Sequence, residues 1–333
     1  MAKLVSNSFK ILMTVAAFAM AFATAAHAET WRIATKMPPT SPEGKGFAKF
    51  GELVGKYSDG KIDVKVFPSE QLGKSEAALE QLQAGTITVY VEGPSYLAKW
   101  VPEMRYTSAS FMFKDRPSWV KFMHTPTVQG WLKKVEDEAG IAIVGDITGF
   151  VRGPYRVLVA KKEVKGLNDL QGLKLRMAPM QLAVELWTYL GAEVRVLGWT
   201  EVYESISRGV VESVTSPVAL VESMKFYEVA PHIVRTDEYP QTIAFMANAK
   251  AYRGLSDELR AAVDKAFFDA ADYSNNLMQD AAAASLKAME AKGVTYEEID
   301  TSDIVAKAAE FYRMKEKSGE MPAGFMDLVA SAK

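Results

Sequence analysis

The chain has 333 residues, 49% of them hydrophobic, with 39 Lys and Arg against 41 Asp and Glu, a formal charge of −2, and no cysteine. The missing cysteines exclude disulfides, thiol nucleophiles and zinc–thiolate sites, and the near-balanced charge without a clustered basic surface excludes a nucleic-acid binder. The length and apolar content suffice for two lobes, each with its own core.

The first segment, MAKLVSNSFKILMTVAAFAMAFATAAHAET, has Lys3 and Lys10 ahead of an apolar run that begins at Ile11 and reaches the small-x-small site Ala26-His27-Ala28. Residues 1–28 read as a secretory signal peptide cut after Ala28. The run falls short of the roughly 20 residues that span a bilayer, so the alternative, an N-terminal anchor, is disfavoured. Without cysteine, no lipid can be attached at the cut.

TWRIAT then reads as a first strand, PPTSPEGKG as a turn-rich loop, and FAKFGELVGKYSDG as an amphipathic helix with Phe47, Phe50 and Val54 on one face and a stop at Gly60. KIDVKVFP alternates as a strand. Ser75 is expected to cap the helix SEAALEQLQAG, and TITVYV is the next strand. The same order returns later: strand AEVRVL, helix TEVYESISRG with Thr200 as its expected cap, and strand VVESVT. Two lobes on similar α/β plans follow from this repetition. Between them lie an aromatic-rich region and the strands IAIVGDIT and YRVLVA. Near the C-terminus, SDELRAAVDKAFFDAADYSNNLMQDAAAASLKAMEAKG keeps a 3.6-residue period through Val263, Ala266, Phe267 and Ala270, with no Pro or Gly before Gly293. A helix of that length could run along a two-lobed molecule.

Motifs for chemistry are missing. There is no G-x-S-x-G, no G-x-G-x-x-G, and GELVGK lacks the phosphate-loop spacing. His124 and His232 are far apart and read as structural or surface residues, so no metal site is expected. No cofactor is implied, and an enzyme is disfavoured. Two arginines stand out. Arg176 lies near the C-terminal end of the alternating strand GLKLRMAP, and Arg156 opens RVLVA. A guanidinium grips a carboxylate through two parallel hydrogen bonds, and ligands of open α/β sheets collect beyond the C-terminal strand ends. On the residues alone, an ordinary ion-paired surface arginine remains the simpler account of Arg176.

The run GLNDLQGLKLRMAP…LGAEVRVLGWTEVYESISRGVVESVTSP…MKFYEVAPHI, roughly residues 166–232, resembles the extracytoplasmic solute receptors of TRAP transporters, the DctP-type family. The leader, the KIDVKVFPSEQLG stretch and the late helix extend the likeness over most of the chain. The resemblance implies an α/β periplasmic binding protein of two lobes, type II-like. Each lobe would be a mixed β-sheet flanked by helices, with a long C-terminal helix spanning both. Lobe 1 would be residues 29–153 completed by about 242–280, and lobe 2 residues 154–241 completed by about 281–333. The protein would sit in the periplasm as a monomer, capture an organic acid and deliver it to one small and one large membrane subunit.

The family's principal carboxylate-binding arginine falls on Arg176 and a second on Arg156. The family's usual VDGxENP segment reads VESVTSP here, so Ser216 stands where an Asn is common. Thr215 and Ser216 should face Glu92 and Ser95, from TVYVEGPSY, across the cleft, with Trp199 and Tyr203 as walls. Glu92 beside an anion site would require a ligand that also carries a hydrogen-bond donor. Two other readings stay open: the binding protein of an ATP-driven importer or sensor, and a secreted α/β enzyme.

Overall fold

A computed structural model describes residues 28–332; the expected signal peptide, up to residue 27, lies outside the described residues. The chain builds two six-stranded mixed sheets. The first runs β2-β1-β3-β11-β4, with β5 also paired to β11. Its strands are β1 (Glu29–Ala34), β2 (Ile62–Phe67), β3 (Val89–Glu92), β4 (Ile141–Ile143), β5 (Phe150–Val151) and β11 (Thr242–Asn248). The second runs β12-β10-β6-β9-β7-β8, with β6 (Arg156–Ala160), β7 (Lys174–Met177), β8 (Glu193–Val196), β9 (Ser213–Pro217), β10 (His232–Arg235) and β12 (Thr295–Glu298). β1 is parallel to β2 and β3, and β7 to β8 and β9. Antiparallel entries by β11 and β6 make both sheets mixed. The chain crosses from the first sheet to the second at residues 152–155 and returns at 236–241.

The alternation of KIDVKVFP gives β2, and the uninterrupted apolar run VLVA gives β6, a central strand buried along its whole length. One helix starts earlier than its sequence suggests. It spans Pro42–Tyr57, so half of PPTSPEGKG is helix rather than loop. Ser41 caps it, its Oγ accepting from the Gly44 N–H at 3.0 Å, with Pro42 in the first turn. That early start places Glu43 in the first turn, fully buried. Two expected caps are corrected. Ser75 is already inside its helix, Ser75–Gln83, and its Oγ accepts from the Tyr90 hydroxyl. Thr200 donates instead to Glu70, and the Gly198 N–H is capped by Glu201.

The long helix is one uninterrupted element, Asp257–Glu290, opened by Ser256 accepting from the Leu259 N–H. It packs on Pro42–Tyr57 against the first sheet and on Val218–Ser223 against the second. The first crossing is close: a Cβ on Gly46 would lie 2.5 Å from Ser274 Oγ, so only glycine admits this approach. Phe47, Phe50, Phe150, Phe245 and Phe267 fill the space with edge-to-face and tilted ring pairs.

Candidate functional site

Between the two sheets lies a cavity holding about 570 Å³ of empty space, part of it open to solvent. Both sheets aim strand ends at it. Lys36 follows β1, Glu92 ends β3, Arg176 sits near the end of β7, and Thr215 lies toward the end of β9. The crossings supply Arg152, Glu238, Tyr239 and Gln241, and Arg156 opens β6. This is where an open α/β sheet collects ligands.

Arg176 is 5% exposed. Its Nε and Nη2 donate to the Leu197 carbonyl at 2.9 and 2.6 Å, and its guanidinium lies 5.3 Å from the Trp199 ring centre. No carboxylate pairs with it among the described residues. Burial pushes its guanidinium down from 12.5 to about 10. The alternation of GLKLRMAP suggested one buried face; in fact Leu175, Arg176 and Met177 are all buried. The cavity walls cover the face that Arg176 occupies.

Every other charge around the cavity is matched. Arg152 sits between two acids: its Nε and Nη2 lie 2.9 and 3.0 Å from the two oxygens of Glu43, while Nη1 donates to Glu92. Lys36 Nζ is 2.6 Å from the other Glu92 oxygen. Burial alone would raise the Glu92 carboxyl; Arg152 and Lys36 overturn that and hold it at about 2. Burial pushes the Glu43 carboxyl up, against the opposing pull of Arg152. Glu92 therefore already has its cations and needs no donor from a ligand. Arg156 gives Nε to Glu238 at 2.9 Å, Nη2 to Thr215 at 2.8 Å and Nη1 to Gln241, and lies over the Tyr239 ring. Glu238 also accepts from Ser110 and Trp187. Arg156 thus lines the cavity with its own carboxylate attached.

Ser95 and Trp199 also line the cavity, and Ser95 Oγ and Trp199 Nε1 are buried with no protein partner. Two expected residues fall elsewhere. Ser216 lies outside the lining, its hydroxyl donating to the Pro217 carbonyl at 3.0 Å; β9 alternates, so Thr215 and Pro217 face the cavity and Ser216 the opposite side. Tyr203 bonds Glu228 at 3.0 Å away from the cavity. The residues that the sequence did not single out are Lys36, Glu43, Arg152, Glu238, Tyr239 and Gln241. Next to Trp199 in sequence, Thr200 donates to Glu70 at 2.6 Å and Glu201 pairs with Lys74 at 2.8 Å, joining the first-sheet side to the second.

The fold resembles that of solved structures. A TRAP periplasmic solute binding protein from Sulfitobacter sp. NAS-14.1, with bound β-D-galacturonate, superposes with a TM-score of 0.81 at 27% identity over 90% of this chain and 98% of that one. One from Escherichia fergusonii, in an apo open form, superposes at 0.78 with 26% identity over 92% and 100%. In sequence, the chain is 30% identical to the C4-dicarboxylate-binding periplasmic protein DctP of Rhodobacter capsulatus, over 77% of this chain and 76% of that protein. It is also 30% identical to the ectoine/5-hydroxyectoine-binding periplasmic protein UehA of Ruegeria pomeroyi, over 84% and 82%. Residues 33–318 match the DctP family, described as bacterial extracellular solute-binding protein, family 7. With two mixed sheets, a cleft between them and a family match over most of its length, this chain belongs to the DctP family of bacterial extracellular solute-binding proteins.

Proposed function

We propose that the protein is a periplasmic receptor that binds a carboxylate-containing acid at Arg176 and hands it unchanged to the membrane subunits of a TRAP transporter. The observation that carries this is a buried guanidinium, lining a cleft between two sheets, that no acid among the described residues neutralises. A ligand carboxylate supplies the missing charge through charge-assisted hydrogen bonds, each contributing about 1.5–3 kcal/mol. Two such bonds account for much of a micromolar affinity, about −8 kcal/mol. Relatives that bind a dicarboxylate, a uronate or ectoine all take a carboxylate-bearing ligand, which supports the reading.

In this reading the lobes are residues 29–153 with about 242–280, and 154–241 with about 281–333; the long helix straddles the border. Ligand contacts from both lobes favour the closed form. Arg156, held by Glu238, orients Thr215 and the cavity wall. The receptor acts as a monomer, exported by the leader at residues 1–28. The test is solute uptake by proteoliposomes carrying the small and large membrane subunits. Uptake should require this protein, and the ligand recovered from it should be chemically intact. Uptake of equal rate without the protein, or recovery of a converted product, would overturn the proposal.

A further inference from the structure

We infer that the cleft selects a singly charged acid, and discriminates by charge against dicarboxylates and zwitterions. This rests on the receptor reading above and goes one step further, to the class of ligand. Seven buried acidic and basic side chains lie at the cavity wall or, for Glu43, just behind it: Lys36, Arg152, Arg156 and Arg176 on one side of the balance, Glu43, Glu92 and Glu238 on the other. None is more than 8% exposed. The three acids are each engaged by a cation: Glu43 by Arg152, Glu92 by Arg152 and Lys36, and Glu238 by Arg156. Glu43 lies with its two oxygens 2.9 and 3.0 Å from Nε and Nη2 of Arg152; that close opposite charge opposes the rise that burial brings, and Glu43 counts as a carboxylate in this balance. One positive charge is left over, and it belongs to Arg176.

Arg156 carries no unmatched charge for a second anion, because Glu238 already pairs with it. All three of its nitrogens are engaged, by Glu238, Gln241 and Thr215. Part of the cavity is open to solvent, but these groups are themselves buried, and an unbalanced buried charge is costly. A monocarboxylate leaves the closed cleft neutral. A dicarboxylate would leave one negative charge over, next to Glu92 and Glu238. A zwitterion's carboxylate would pair with Arg176, but its own cationic group would restore one surplus positive charge. Two uncharged donors on the cavity wall, Ser95 Oγ and Trp199 Nε1, have no protein partner, so the acid carries at least one oxygen acceptor beyond its carboxylate: a hydroxy or oxo monocarboxylic acid.

The test is calorimetric titration of the full mature protein at neutral pH with three groups of probes. These are D-galacturonate, D-galactonate, lactate and pyruvate; succinate, malate and fumarate; and ectoine and alanine. The tightest probe is expected from the first group, by about 100-fold over the best of the others, which is about 2.8 kcal/mol at 1.4 kcal/mol per tenfold. A dicarboxylate or zwitterion that binds as tightly or more tightly overturns the charge inference while leaving the receptor reading standing. Binding by no probe of any group removes both. A second arm uses Glu92→Gln, which raises the cleft charge by one. The ratio of succinate to monocarboxylate affinity should rise about tenfold, and an unchanged ratio in the folded variant refutes charge as the selector. If that variant does not fold, the wild-type titrations decide alone.

Discussion

Replacing Arg176 by methionine should separate binding from folding. The side chain is buried, bonded only to the Leu197 carbonyl, and has no counter-charge among the described residues. Burial takes its guanidinium from 12.5 to about 10, which corresponds to about 3 kcal/mol against the charged form at 1.36 kcal/mol per tenfold. For a base whose folded value is depressed, that penalty is fully present below about pH 10 and relieved only above it, so it acts throughout the neutral range. Methionine removes the charge and keeps most of the volume. Losing the bonds to Leu197 gives back about 1–2 kcal/mol, leaving a net gain of about 1–2 kcal/mol. The ligand-free Tm should therefore stay level or rise by a few degrees. Binding should collapse: two charge-assisted bonds at about 1.5–3 kcal/mol each correspond to a Kd weakened by about 10²–10⁴-fold. Arg176→Lys keeps the charge but not the fork and should lose affinity with no gain in Tm. Scanning and titration calorimetry on the same samples decide. An Arg176→Met protein that melts several degrees lower, or that binds as the wild type does, refutes the reasoning.

Other outcomes follow from the same geometry. Ser95→Ala should weaken ligand binding about two- to tenfold, the value of one neutral hydrogen bond. Ser216→Ala should leave affinity unchanged, because its hydroxyl faces away from the cavity; the reverse order in titration calorimetry would contradict the orientation of β9. Lys74→Ala breaks the exposed pair with Glu201 and should speed ligand dissociation about two- to fivefold, a speed-up that high salt should reproduce in stopped-flow traces of the wild type. Glu92 has its carboxyl held at about 2 against an ordinary 4.5, so its contribution to stability is present above pH 4.5 and lost as pH falls toward 2. The wild-type Tm should drop across that window and the Glu92→Gln profile should be flatter there. Identical slopes would refute the pairing.

The strands and helices were largely legible because their cues are local. KIDVKVFP alternates, AFFDAADYSNNL keeps its period, and the glycines after helices mark their ends. The cleft was legible only in part. Arg176 could be placed at a strand's C-terminal end, but its burial depends on cavity walls contributed by distant segments. The Arg152 network was invisible for the same reason: its acids lie 109 and 60 residues away. One cue was available. Ser41-Pro42-Glu43 is a cap, a first-turn proline and a first-turn acid, and reading it as a helix start would have brought Glu43 into the core. Period two also decides between Thr215 and Ser216, since successive side chains along β9 point to opposite faces of the sheet. Tyr203, four residues beyond Trp199, lies on the helix after the turn and bonds Glu228 away from the cavity.

The order of strands in the two sheets bears on how the chain comes to be folded. The first sheet is held together through β11, which pairs with β3, β4 and β5, and the second gains its outer strand β12 only after residue 294. A growing chain therefore cannot complete either hydrophobic core until most of its length has been synthesised, and the pairings that finish each core span long sequence separations that form slowly. Until then both cores remain incomplete, and an unfinished chain passes a narrow channel more readily than a folded one.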